Sequence, residues 1–90
     1  MFAVAPTLLT RPTDQIILEG FNVTFRCLAT GNPTPTTKWF KDGKTVGSGE
    51  TLSFVANRIK SGKYWCSADN GLGAAVNGSA NLDVQCEYPH

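Results

Sequence analysis

Cys27, Cys66 and Cys86 are the side chains best equipped for covalent chemistry, and three thiols allow one disulfide with one sulfur left over. Nucleophilic catalysis needs a base held on a scaffold. The only histidine, His90, is the last residue, so neither a Ser-His-Asp nor a Cys-His arrangement has one. No C-x-x-C or H-x-x-x-H pair occurs, and the acidic residues are scattered rather than spaced as a calcium loop. Gly71-Leu72-Gly73 reads as a turn, with no helix behind it to hold a phosphate. The expectation is no enzymatic activity, no metal and no cofactor. Modification chemistry is better represented. Asn22-Val23-Thr24 and Asn77-Gly78-Ser79 both fit the N-glycosylation rule, and use of either would require an exposed asparagine and passage through the secretory pathway.

The elements that position these residues read as short β-rich runs between Gly, Pro, Asn and Asp clusters, the spacing of an antiparallel sandwich, with no helix evident. Leu8-Leu9-Thr10 precedes Arg11-Pro12, which suits an edge strand that breaks, switches sheets and continues as Gln15–Leu18. Glu19-Gly20 turns the chain into a strand whose Val23, Phe25 and Cys27 share the core face, because strand side chains alternate. Gly31-Asn32-Pro33-Thr34-Pro35 is expected to be a loop. Thr37–Lys41 is the next strand, closed by Asp42-Gly43, with a further turn at Gly47-Ser48-Gly49. Only 13 positions separate Trp39 from Leu52, too few for the two extra strands of a variable-type sandwich. Leu52 and Phe54, then Tyr64, Cys66 and Ala68, then Ala80, Leu82 and Val84 should point inward on the last three strands.

Cys27 and Cys66 thus fall inward on an early and a late strand, as a disulfide between facing sheets requires. Trp39 would pack beside it, and Tyr64, two residues before Cys66, stands where a tyrosine corner puts its ring in the core and its hydroxyl on nearby backbone. Val23-Thr24-Phe25-Arg26-Cys27, Trp39-Phe40-Lys41-Asp42-Gly43-Lys44 and Ser61-Gly62-Lys63-Tyr64-Trp65-Cys66 to Gly73 together resemble an I-set or C2-type immunoglobulin domain, over nearly the whole chain. The resemblance implies an all-β immunoglobulin-like sandwich, two antiparallel sheets joined by the disulfide, in one domain over 1–90 with a core of about 6–85 and flanking tails at 1–5 and 86–90. It also implies an adhesion or receptor ectodomain module at the cell surface, recognising a protein partner, homophilic or heterophilic, and spacing neighbouring domains. The alternative it implies is an intracellular sarcomeric module with reduced cysteines. Lys60 departs from the family pattern, standing where an acidic residue usually precedes the Ser-Gly of the corner. Cys86 departs as well, an odd thiol suited to an interdomain or intermolecular bond.

With 8 Lys plus Arg against 7 Asp plus Glu, the formal charge is +1, which gives no field to attract nucleic acid or anionic lipid. No apolar run approaches the roughly 20 residues of a membrane span. Met1–Ala5 lacks a charged region followed by a long apolar one, so Met1 is expected to begin a fragment of an anchored parent whose signal peptide and membrane span lie elsewhere. On the surface, parity turns Phe40 and Trp65 outward on adjacent strands, flanked by Lys38, Lys63 and Asp69, the best candidate partner surface. The competing reading is that the two rings cover only each other. Asn77 faces the same way, so a glycan there would mask part of the patch. Lys41, Lys44, Arg58, Lys60 and Lys63 could gather at one end and meet a sulfated glycan, although interspersed opposite charges favour an ordinary solvated surface.

Overall fold

The computed structural model describes residues 2–86; Met1 and 87–90, and with them His90 and most of the expected C-terminal flank, lie outside the described residues. Nine strands and one short 3-10 turn follow one another: β1 (Val4–Thr10), β2 (Gln15–Leu18), β3 (Asn22–Arg26), β4 (Leu28–Asn32), β5 (Thr36–Lys41), β6 (Lys44–Ser48), β7 (Thr51–Val55), η1 (Arg58–Lys60), β8 (Gly62–Asp69) and β9 (Val76–Gln85). They build two layers. In one, β1 pairs with β4 and β3 with β7, both antiparallel, β3 and β4 being one run interrupted only at Cys27. In the other the order is β2-β9-β8-β5-β6. Its β2–β9 pair is parallel, while its other pairs are antiparallel.

The break at Arg11-Pro12 is what allows one edge segment to serve both layers. Before it, β1 borders β4; after it, β2 borders β9. Pro12 cannot donate to a ladder, so the chain leaves the first sheet there and re-enters hydrogen bonding on the second.

Period-2 alternation fills the space between the layers. Val23, Phe25 and Cys27 point in from the first, and Trp39, Tyr64, Cys66, Ala68, Ala80, Leu82 and Val84 from the second. Burial alternates without a fault from Val76 to Gln85 along β9. Aromatic rings form a chain through this core: Phe25 lies 6.2 Å from Trp39 and 5.3 Å from Tyr64, and Phe54 lies 5.5 Å from Tyr64. Removing such a ring from water stabilises the fold by about 1.5–3 kcal/mol.

Between β6 and β7 the chain crosses from one layer to the other within two residues. The Gly49 N–H donates to the Thr37 carbonyl in the second layer, and the Glu50 carbonyl accepts from the Cys27 N–H in the first. Gly49 makes the crossing at φ 94°, a conformation that glycine adopts without a Cβ penalty. The buried Trp39 indole N–H donates to the Gly49 carbonyl at 2.9 Å, so the core tryptophan holds the crossing in place. A constant-type sandwich carries a further strand bordering the position of β7. That strand is absent among the described residues, and β7 is the last strand of its layer.

Four local expectations need correction. Gly31 and Asn32 are the end of β4 rather than loop, because they continue the pairing with β1 as far as Val4↔Asn32; the loop starts at the cis Asn32–Pro33 bond. Gly47 and Ser48 lie in β6, paired with Trp39 and Lys38, and the bend falls at Gly49-Glu50. A 3-10 turn stands at Arg58–Lys60, capped by the Asn57 side chain, which accepts from the Ile59 N–H. Val4 and Ala5, expected in a flank, begin β1.

Candidate functional site

Four strands of the second layer present one outer face to solvent. The register sets Lys38 opposite Ser67, Phe40 opposite Trp65 and Ser67 opposite Asn77. Phe40 is half-buried, whereas Trp65 keeps 38% of its surface exposed. The Lys63 ammonium stands 5.2 Å from the Trp65 ring centroid, a cation–π contact on the same strand face. Phe40, Gly43, Trp65, Ser67 and Asn77 line a shallow depression of about 420 Å³, and Lys38 and Asp69 line a second one that shares Phe40 and Ser67. The face is therefore mixed: an apolar centre of two rings, cations at its sides and an asparagine in its wall.

Three features hold this face in place. Asp42 and Gly43 adopt φ of 54° and 76°, the pair of left-handed residues that lets a two-residue hairpin follow the twist of β5 and β6. Behind the face, Cys66 on β8 is joined to Cys27 of the opposite layer across 39 residues of sequence, with Trp39 opposite Cys66 in register. Tyr64, one residue from Trp65, anchors the start of β8: its hydroxyl donates to the Lys60 carbonyl at 2.6 Å. Burial pushes the Tyr64 phenol above its usual value, and the Asp42 carboxylate adds to this.

At the opposite ends of these strands, Asn70 holds two loops together, its side-chain amide donating to the Val4 carbonyl at 2.7 Å and to the Pro33 carbonyl at 3.0 Å. The loop tips at Asn32-Pro33-Thr34 and Asn70-Gly71-Leu72 are thus one surface. Asn22 is exposed at the start of β3 and Asn77 on β9. Cys86 is half-buried and unbridged, its thiol donating a long contact of 3.9 Å to Glu19. Among the described residues no three His, Cys, Asp or Glu side chains come close enough to hold a metal ion, and no helix is long and apolar enough to cross a membrane.

The five cations weighed as a cluster at one end, against the favoured reading of a solvated surface, divide. Lys63 covers Trp65, and Arg58 faces Glu19 at 3.8 Å, which supplies an ion pair next to the corner although Lys60 replaces the usual acid. Lys41, Lys44 and Lys60 line a cleft between β6 and β7 that sequence reasoning missed, because its apolar floor is assembled from both layers.

Among all-β folds, a sandwich stitched between layers in this way defines the immunoglobulin class. The chain belongs to the immunoglobulin domain family, whose sequence model matches residues 5–70. It is 36% identical over 98 aligned positions to human Roundabout homolog 2, covering 88% of this chain and 7% of that relative's length. A solved structure of Dpr2 Ig1-Ig2 in complex with DIP-Theta Ig1-Ig3 superposes with a TM-score of 0.82 at 35% identity, covering 91% of this chain and 32% of the other. A chimeric titin Z1Z2 superposes at 0.84 with 29% identity, covering 97% of this chain and all of the other. The chain is thus similar to modules of cell-surface adhesion and receptor proteins, and shares its fold with titin.

Proposed function

We propose that the chain is a non-enzymatic, extracellular immunoglobulin-like module of a multidomain adhesion or receptor ectodomain. It recognises a protein partner through the outer face of β6-β5-β8-β9 and spaces the neighbouring domains. The observation that carries this reading is the Phe40–Trp65 pair, an exposed indole directly across from a second ring with Lys63 and Lys38 beside it. An exposed tryptophan is among the side chains most enriched at binding hot spots. The Dpr2 structure, in which related domains form a complex with another immunoglobulin-domain chain, supports a partner of the same class, homophilic or heterophilic.

In this reading the parent chain is membrane-anchored while the domain itself stays outside the bilayer. Asn22 and Asn77 accept N-glycans, the second bordering the recognition face, and Cys86 is left for a bond to a neighbouring domain or chain. The Cys27–Cys66 bridge supports an oxidising compartment. The experiment is a binding screen of the secreted domain against immunoglobulin-domain ectodomains, repeated with a Phe40→Ala, Trp65→Ala double variant. Loss of binding by a folded double variant is expected; undiminished affinity removes this face.

The likeness to titin favours a second reading, an intracellular sarcomeric link with Cys27 and Cys66 reduced. Glycan mass on Asn22 or Asn77 after secretion of the parent protein from its own cells rejects it. Isolation of the parent from cytosol with free thiols supports it.

A further inference from the structure

The two layers end beside each other at β6 and β7, and the gap between them is open. β7 hydrogen-bonds to β3 on one side, and among the described residues no strand pairs with its other side. An unpaired strand edge is a template for another extended chain. The gap is a cleft of about 620 Å³ with a predominantly apolar lining: Val46 from β6, Leu52 and Phe54 from β7, Tyr64 from β8 and Ile59 from η1. Val46 keeps 44% and Ile59 83% of its surface exposed, so large apolar groups stand at this opening with nothing over them.

Three cations surround that apolar surface. The Lys60 ammonium lies 5.4 Å from the Phe54 ring centroid, and the Lys41 ammonium lies 5.9 Å from that of Tyr64. Lys44 begins β6 on the same cleft. Lys41 has Asp42 at 3.1 Å; among the described residues Lys44 and Lys60 have no carboxylate partner. Free backbone donors and acceptors, apolar sockets and unmatched positive charge are the three features that an acidic extended peptide satisfies together. A sulfated glycan would use the cations but leave the apolar lining and the strand edge without a function.

We propose that this cleft docks an extended acidic segment of a partner protein, added as a strand against the free edge of β7, with its apolar side chains on Val46 and Ile59 and its carboxylates on Lys44 and Lys60. The site is separate from the Phe40–Trp65 face and does not depend on it.

The test titrates the isotopically labelled domain with a synthetic peptide of about eight residues, in which aspartate and glutamate alternate with valine and leucine. Expected are saturable amide shifts confined to β6, β7 and Arg58–Lys60, with slowed hydrogen exchange on the β7 amides that point away from β3. Charge reversal by Lys44→Glu with Lys60→Glu should weaken binding about tenfold or more, and raised salt should weaken it too. Ile59→Ser, on a side chain so exposed that folding does not depend on it, should also weaken binding. The same peptide with proline at alternate positions should not bind, because it cannot supply the strand hydrogen bonds. Absence of shifts at millimolar peptide overturns the proposal. So does equal binding by the charge-reversed domain or by the proline peptide, and so do shifts produced by a heparin oligosaccharide but not by the peptide.

Discussion

The Tyr64 hydroxyl donates to the carbonyl of Lys60, four residues earlier, across 2.6 Å, and this bond ties the 3-10 turn to the strand that carries both Cys66 and Trp65. Replacing the phenol by a plain phenyl group keeps a ring between Phe25 and Phe54 but leaves the carbonyl without this donor. A Tyr64→Phe variant should lose about 1–2 kcal/mol in urea unfolding at neutral pH. The pH dependence follows from the raised phenol pKa, caused by burial first and by Asp42 second. The folded protein holds this proton more tightly than the unfolded chain does. The contribution is therefore fully present below the ordinary phenol value of about 10 and is lost as pH rises through the folded value. The stability gap between wild type and Tyr64→Phe should narrow above about pH 10 and stay constant between about pH 6 and 9.

The bridge between Cys27 and Cys66 closes a loop of 39 residues in sequence separation. In the chain-entropy description such a closure stabilises a fold by about 4 kcal/mol. A Cys27→Ala, Cys66→Ala double variant should lose about that much, a large part of the roughly 5–15 kcal/mol available to a domain. Chemical denaturation checks it directly, and Cys86→Ser in both proteins keeps the third thiol from exchanging.

Gly78 sits inside one glycosylation motif, yet its place in the strand is fixed by packing. A Cβ there would lie 3.0 Å from Pro12 Cδ and 3.3 Å from Cys66 Sγ, so β9 passes over the disulfide with no space for a side chain. Gly78→Val should destabilise by about 1–3 kcal/mol through overpacking. Ser79→Ala, at an exposed position of the same motif, should abolish any glycan on Asn77 and change stability by less than about 0.5 kcal/mol. Thermal melts and intact mass of the secreted variants separate the two effects.

How much of this was legible before the structure depends on how local the signal was. Alternation alone turned Val23, Phe25, Tyr64, Cys66, Leu82 and Val84 inward, because a period of two leaves one choice of face once one cysteine is placed. The outward direction of Phe40 and Trp65 followed from the same parity, while their direct opposition is set by the register of β5 and β8. What stayed hidden was set by pairing between distant segments. Gly31 and Asn32 are loop residues by propensity and strand residues only because β1 lies beside them. The division of the five cations depends on where η1 packs, and three residues are too few to announce a helix. The cleft was out of reach for the same reason: Val46, Phe54 and Ile59 are ordinary exposed or half-exposed residues in sequence and become one surface only where two sheets end together.

Gly49 isolates conformational cost from every other effect. At φ 94° it sits where side-chain-bearing residues rarely go, yet a Cβ built on it would meet no atom within 4 Å. Gly49→Ala should therefore cost about 1–2 kcal/mol through backbone strain alone. The strain acts on the residue that bonds Thr37 by its N–H and the Trp39 indole by its carbonyl, the link between the two layers. Relief by shifting the backbone would loosen the tryptophan, so the variant should show a red-shifted or broadened indole signal along with lower stability. Gly43→Ala, at the tip of the β5–β6 hairpin with equally open space around it, should cost a similar amount without disturbing that signal. Equal indole spectra for both variants would mean that the crossing is held by the sheets alone and that the Trp39–Gly49 bond contributes nothing to it.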